Sequence, residues 1–501
     1  MSVLPDLRRI TVRQSLRSPT RKILESFDQV VIVAPENPSD SALRGIPQAA
    51  QLRKLLSRTG EPLSSTRLSG PKATGLLLTT FTASTAFDAL SWSKNVVARA
   101  LRDRPGKLAI LAVGLPDDAR CAALTSLVAA AEAAAFELPS YRSESRRPRR
   151  LSSVTVFDDQ PKLDLHPTRA QALGNDIARW FTALPPNKLT ASAYREAIDA
   201  LAVQYGLQSR FYNENRLEKL GAGAFLAVSQ GNPERDAGIM QLRYRPKRQR
   251  SPDVSLIGKG ILFDTGGTNL KPFKNMLDMH MDMQGSAVAL GTLIALAELG
   301  VPFAVDAWLA ITPNHLSARS YKSQDVVQAA NGTTIQVIHT DAEGRMVLAD
   351  ALALASKDKP GLIIDYATLT GTCIAALTER YSGVFSNRKA ANLLMREAGE
   401  SSGERVWPFP MDADFDEPLK SEIADIKQCS PAGMGDHILA ARFLSRFVPD
   451  DVPWVHVDLS AAQNKGGLGH VPTEVTGFGV KLTLELLLNN DPRTLGDQLG
   501  K

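Results

Sequence analysis

Apolar residues along this chain fall into short runs separated by longer mixed stretches, the alternation of strand and helix that builds α/β domains. In the first 150 residues, 30–34, 75–80 and 108–113 read as strands, and 47–57 and 119–135 read as helices. Residues 9–14, R-I-T-V-R-Q, alternate as an edge strand of the same domain. The arginines there also suit a transit peptide, and the strand reading is preferred. A polar, basic stretch at 140–153, followed by 154–157 and the turn-rich 158–167, reads as the hinge to a second domain. Beyond it, helices at 170–183 and 191–205 alternate with strands at 208–212, 239–244, 254–257, 304–311 and 361–366. The expected fold class is α/β: a smaller N-terminal α/β domain over 1–165 with a basic linker, then a larger α/β domain over 166–501 whose central sheet is mostly parallel and flanked by helices.

Composition narrows the function classes. The chain has 501 residues, 44% hydrophobic and 22% charged, enough for large cores. No apolar run approaches the ~20 residues of a membrane span. Three cysteines, Cys121, Cys373 and Cys429, stand far apart with no C-x-x-C pair, which argues against disulfides and thiolate zinc and for a reducing compartment. Neither G-x-G-x-x-G after a strand nor G-x-x-x-x-G-K-[ST] occurs. The net charge of +5 and the basic run 141–150, Y-R-S-E-S-R-R-P-R-R, raise nucleic acid as a partner. No aromatic residues interleave that run, so a solvated loop between domains is the preferred reading.

The chemistry concentrates between 256 and 345. G-K-G-I-L-F-D-T-G-G-T-N-L-K follows the apolar run 254–257, and its glycines are expected to fold the backbone tightly around Lys259 and Asp264. Asp282 stands at the entrance of a helix expected over 283–299, where a carboxylate is favoured. Between a strand at 334–338 and a helix at 346–355 lies the turn T-D-A-E-G-R, from which Asp341 and Glu343 can point the same way. One aspartate at a helix start is ordinarily a cap. Four carboxylates, two lysines and an arginine gathered in glycine-shaped loops are costly to bury without a function, and hard oxygen donors suit zinc, manganese, magnesium or cobalt. A lysine amine ligates a metal only when neutral, so Lys259 in that role needs a lowered pKa, whereas Lys271 kept protonated could stabilise an oxyanion.

These residues resemble the leucine aminopeptidase (cytosol aminopeptidase) family. The family's N-T-D-A-E-G-R-L stands here as H-T-D-A-E-G-R-M at 339–346. V-G-K-G-x-x-F-D-S-G-G-x-x-x-K stands as I-G-K-G-I-L-F-D-T-G-G-T-N-L-K, and D-x-A-T-L-T-G as D-Y-A-T-L-T-G at 365–371. The eleven-residue step from Lys271 to Asp282, L-P-P-N at 184–187 and the stretch 223–231 agree as well, so the similarity covers most of 170–485. The resemblance implies a metal-dependent aminopeptidase that releases N-terminal residues, apolar ones such as leucine by analogy, with 166–501 as its catalytic domain. It implies two divalent ions per subunit, manganese or zinc, with cobalt or magnesium as alternatives. Their ligands would be Lys259, Asp264, Asp282, Asp341 and Glu343, with Asp264 and Glu343 bridging. Lys271 and Arg345 would be the catalytic pair, Arg345 holding a bicarbonate that acts as base toward a metal-bridging water. Met279, Thr368 and Leu369 match substrate-binding positions. The implied setting is cytoplasmic, off the membrane, as a homohexamer of two trimers acting on peptides.

Three positions depart from the family pattern: His339 for Asn, Thr265 for Ser, and G-D-H-I at 435–438 where the family has small residues such as G-A-I. His339 is expected to be a packed group beside the ligand loop, with tuning of that loop as the other reading. His437 and His470 are not expected to be ligands, and Cys373 is expected to be a small core residue. Two other function classes stay open: a DNA-binding or regulatory protein on the same scaffold, and a relative that hydrolyses a different dipeptide or amide.

Overall fold

The computed structural model describes every residue except 1, 2, 8, 60–62, 69–71, 144–150, 161–162, 248, 250 and 501. Most of the basic run 141–150 therefore lies outside the described residues. The chain divides into two compact units, Leu7–Ala172 with Gly466–Glu474, and Leu173–Lys465 with Met1–Asp6 and Val475–Lys501.

The first unit is a six-stranded sheet in the order Thr11–Ser15, Ser153–Phe157, Lys107–Ala112, Gln29–Ala34, Gly75–Thr80, Leu63–Arg67, parallel throughout except for the last pair. Gln29–Ala34 and Gly75–Thr80 are buried along their whole length, as strands covered on both faces must be. On one face Val31 and Val33 pack with Leu124, Leu127 and Val128 of the helix Asp117–Ala135. On the other, Val30 and Ile32 pack with Leu24 and Leu52. The segment read as an edge strand is one, Thr11–Ser15. The reading of 154–157 as part of a hinge is corrected: Ser153–Phe157 is an internal strand, paired on both sides, because Val154 and Val156 are fully buried in the core.

The second unit holds an eight-stranded sheet in the order Val406–Pro408, Ser382–Ser386, Trp454–Asp458, Leu362–Ala367, Val254–Asp264, Val305–Asn314, Gly238–Tyr244, Gln208–Asn213. The four middle strands are mutually parallel, and antiparallel pairs occur toward the edges. A three-stranded sheet, Val326–Gln328, Thr334–Gln336 and Ile426–Lys427, accompanies it. The helices Gln284–Leu299 and Glu343–Ser356 both pack on Val254–Asp264 and Val305–Asn314. Every residue of Glu343–Ser356 is buried, so it presents no polar face to solvent.

Two boundaries differ from those the sequence suggests. The strand expected to end at 257 continues to Asp264, and Gly258 and Gly260 lie inside it. Their role is close packing: a Cβ on Gly258 would stand 2.4 Å from the Gly285 carbonyl oxygen and from Ser286 Cα. The helix expected from 346 begins at Glu343, so Glu343 and Arg345 belong to its first turn and not to the preceding loop. Among the described residues, no helix is long and apolar enough to cross a membrane.

Candidate metal centre and active site

Strand alternation decides which residues of Val254–Asp264 reach the site. Gly258 and Gly260 face the helix Gln284–Leu299, so Ile257, Lys259 and Ile261 face the opposite side, where the helix Glu343–Ser356 lies. A simple continuation would turn Asp264 away from Lys259. A bulge prevents this: Ile261 pairs with Thr312 and Asp264 with Asn314, so Leu262 and Phe263 oppose Pro313 alone. The extra residue shifts the parity, and Asp264 emerges on the face of Lys259. Asn314 then fixes it, donating from Nδ2 to Asp264 Oδ1 at 2.8 Å.

The remaining carboxylates arrive from three other segments. Asp282 follows the short 3-10 turn Met279–Met281 and accepts from Thr368 Oγ1 at 2.7 Å. Asp341 and Glu343 flank Ala342 at the start of their helix. The loop bearing Asp341 is tied to the glycine loop by Thr340, whose hydroxyl donates to the Gly266 carbonyl at 2.6 Å and accepts from Asn269 N at 2.8 Å. Gly266 has φ of +87°, a left-handed conformation, and a Cβ there would stand 2.9 Å from Asp341 Oδ1.

Six charged groups converge. Lys259 Nζ lies 2.8 Å from Asp282 Oδ1 and 3.0 Å from Glu343 Oε1, and donates to the Thr368 carbonyl at 3.0 Å. Lys271 Nζ lies 2.9 Å from Asp264 Oδ2 and 2.5 Å from Asp341 Oδ1. Lys259, Asp264, Asp282 and Glu343 are buried, while Lys271 and Asp341 are partly exposed. Four carboxylates thus face two ammonium groups, and negative charge is in excess. Burial lowers the pKa of both lysines, but the carboxylates outweigh it, Asp282, Glu343 and Asp264 around Lys259 and Asp264, Glu343 and Asp341 around Lys271, and hold both above the ordinary lysine range. Burial, and then repulsion from Asp264, pushes Glu343 and Asp341 up, and burial opposed by Lys259 leaves Asp282 raised.

The lowered pKa that a ligating Lys259 needs is therefore not a property of this cage alone. Only added positive charge could displace the lysine proton. The donor set suits such charge. Asp264, Asp341 and Glu343 each place one oxygen within 4.8 Å of the others, and the buried Asp282 Oδ2 and Glu343 Oε2 have no hydrogen-bond partner among the described residues. Hard oxygens in excess over their counter-charges, with unpaired acceptors, are what a divalent cation requires.

Arg345 leaves the same helix turn in another direction. Its Nη2 donates to Asp436 Oδ2 at 2.6 Å and its Nη1 to the Gln428 carbonyl at 3.1 Å. Leu369 follows Thr368 in the chain, and its N–H donates to Asp458 Oδ1 at 3.1 Å. Met279 is half-buried, three residues before Asp282. His339 corrects an expectation: it is exposed rather than packed, and its Nδ1 accepts from Asp341 N at 3.2 Å, because the loop turns its ring outward while Thr340 takes the buried position. Cys373 is fully buried with its thiol pushed up to about 12, chiefly by that burial.

Sequence reasoning missed several supporting groups. Asn314 holds Asp264, and Asp458 holds the 369–370 backbone and Thr370 Oγ1 at 2.7 Å. Asp436 was singled out only as a departure. The signal for Asp458 was present, an acid ending the apolar run W-V-H-V-D.

Comparison with known proteins places the chain in a family. The model of the "Cytosol aminopeptidase family, catalytic domain" matches residues 176–484. A probable cytosol aminopeptidase of Parasynechococcus marenigrum is 34% identical over 466 residues, 91% of this chain and 94% of the relative. One from Syntrophotalea carbinolica is 41% identical over 324 residues, 64% of each chain. Among solved structures, a mutant of tomato leucine aminopeptidase superposes with a TM-score of 0.82 at 27% identity, covering 97% of this chain and 98% of the other. The bottromycin maturation enzyme BotP in complex with Mn does so with a TM-score of 0.78 at 29% identity, covering 94% and 99%.

Proposed function

The chain belongs to the cytosol aminopeptidase family and is a hydrolase, and from that premise we propose that it removes N-terminal residues from peptides using two divalent ions. The single observation that carries the reading is the convergence of Asp264, Asp341 and Glu343 with Asp282 and Lys259, a cage with more negative charge than its lysines neutralise. Lys259, Asp264, Asp282, Asp341 and Glu343 would hold the ions. Bound there, the ions would supply Lewis acidity toward the peptide carbonyl and toward water.

The protein's own groups divide the remaining work. Lys271, held cationic by Asp264 and Asp341, would stabilise the oxyanion as the carbonyl becomes tetrahedral. Arg345 is the second catalytic cation. Thr368 and Leu369, on a loop anchored by Asp458, would orient the substrate, and Met279 would line its side-chain pocket. A preference for leucine and other apolar residues is supported by the tomato enzyme's name, and manganese by the BotP complex, with zinc, cobalt and magnesium as alternatives. A cytoplasmic setting is supported by the relatives' name, probable cytosol aminopeptidase, and the assembly this reading takes is a homohexamer.

The test is a panel of aminoacyl-anilides and dipeptides, with free and acetylated N-termini, given to metal-stripped protein re-supplied with manganese, zinc, cobalt or magnesium. Metal-restored cleavage of free-amine substrates alone supports the reading. Metal uptake with no peptide cleaved would overturn it and leave another amide, or DNA, as the substrate or partner to try.

A further inference from the structure

Arg345 is a fully buried cation whose anion comes from this chain. Its side chain is 2% exposed, and such a guanidinium is costly unless a full negative charge stands against it. Glu343, two residues away, is directed to Lys259. The charge instead comes from Asp436, 2.6 Å from Nη2, while the Gln428 carbonyl takes Nη1 and the buried Nε has no hydrogen-bond partner among the described residues. Asp436 opens the helix Asp436–Ser445 directly after Gly435, whose φ of +63° makes the turn into it, and a carboxylate there is also favoured by the helix N-terminus. Cys429 lies near both Arg345 and Asp436, and His437 adjoins Asp436.

We propose that Asp436 is a built-in anion for Arg345, occupying the guanidinium so that this protein needs no small anion from solvent at that place. The inference deepens the aminopeptidase reading, on which only its catalytic consequence rests. Asp436 acts through Arg345 and is a positioning residue. Removing its side chain would leave a buried guanidinium facing a carboxylate-sized gap, a site for formate or bicarbonate.

The experiment compares wild type with Asp436→Ala and Asp436→Asn. Thermal unfolding of the metal-stripped proteins is followed with sodium formate or bicarbonate against sodium chloride at equal ionic strength. The expected result is that formate and bicarbonate raise the melting temperature of Asp436→Ala and leave wild type where chloride leaves it. With metal restored, Asp436→Ala should lose at least about tenfold in peptide hydrolysis and regain it in formate, while wild type keeps its rate in bicarbonate-free buffer. Asp436→Asn, which keeps the shape without the charge, guards against a folding failure and should be equally slow. Stabilisation or activation of wild type by bicarbonate, or an Asp436→Ala protein indifferent to both anions, would overturn the proposal. If wild type hydrolyses no peptide, the aminopeptidase reading fails, and the melting comparison still decides the anion.

Discussion

Gly344 and Lys259 are in contact: a Cβ on Gly344 would stand 2.7 Å from both Cε and Nζ of the lysine. The glycine of E-G-R therefore gives the lysine amine room between Asp282 and Glu343. Gly344→Ala should displace that amine, weakening manganese binding at least tenfold by calorimetric titration. The flexible end of the lysine yields, so stability should fall by only about 1–3 kcal/mol. Unchanged affinity would show that Lys259 is not placed by this contact.

Asn314 has one evident task at the site, donation to Asp264 and to the Thr340 carbonyl. Asn314→Ala should cost about 1–3 kcal/mol in denaturant unfolding, because a buried carboxylate loses one of its donors and keeps the Gly266 N–H and Lys271. The same variant should lower metal affinity. A loss of stability with metal affinity intact would limit Asn314 to a structural role.

Glu404 and Asp350 lie away from the cage, and burial pushes each carboxyl up to about 7, although backbone N–H groups of Gly479 and Leu482, or of Phe225 and Ala330, oppose the shift. Their folded pKa values exceed the unfolded carboxylate range of about 4. Between roughly pH 4 and pH 7 the folded state therefore binds more protons than the unfolded, and each group's contribution falls as pH rises, by up to about 1.4 kcal/mol per pH unit. Glu404→Gln does not titrate there. Its stability relative to wild type should rise from pH 5 to pH 7 and then level off, and a pH-independent difference would contradict the assignment.

Much of this was legible in the sequence because strand and helix periods are local. The run 75–80 is a strand with those same bounds, and the buried strands 254–264 and 305–314 showed in their apolar cores. What failed was local reading of glycine: Gly258 and Gly260 looked like loop formers, yet they lie within a strand and let it approach a helix. The ligand carboxylates were visible as acids in glycine-rich blocks. Asn314 and Asp436 were not, because each reaches its partner, Asp264 or Arg345, from a segment 50 or 91 positions away. No spacing rule encodes such a meeting. His339 was misread for a similar reason, since whether its ring packs or faces water depends on Thr340 and the neighbouring loop.

Lys271 reaches Asp264 and Asp341 together, so its charge is available only if the cage holds. Lys271→Ala should keep the fold and the metal while reducing kcat by about 100-fold or more, the order seen when one oxyanion donor is lost. A change in KM alone would assign Lys271 to substrate binding.

The central claim is tested most directly by titrating manganese into metal-stripped protein and following hydrolysis of leucine p-nitroanilide against ions added per chain. The account predicts that the rate rises until two equivalents are bound and then stops, and that Glu343→Ala shows no rise. Saturation without hydrolysis, or full activity in Glu343→Ala, would contradict it.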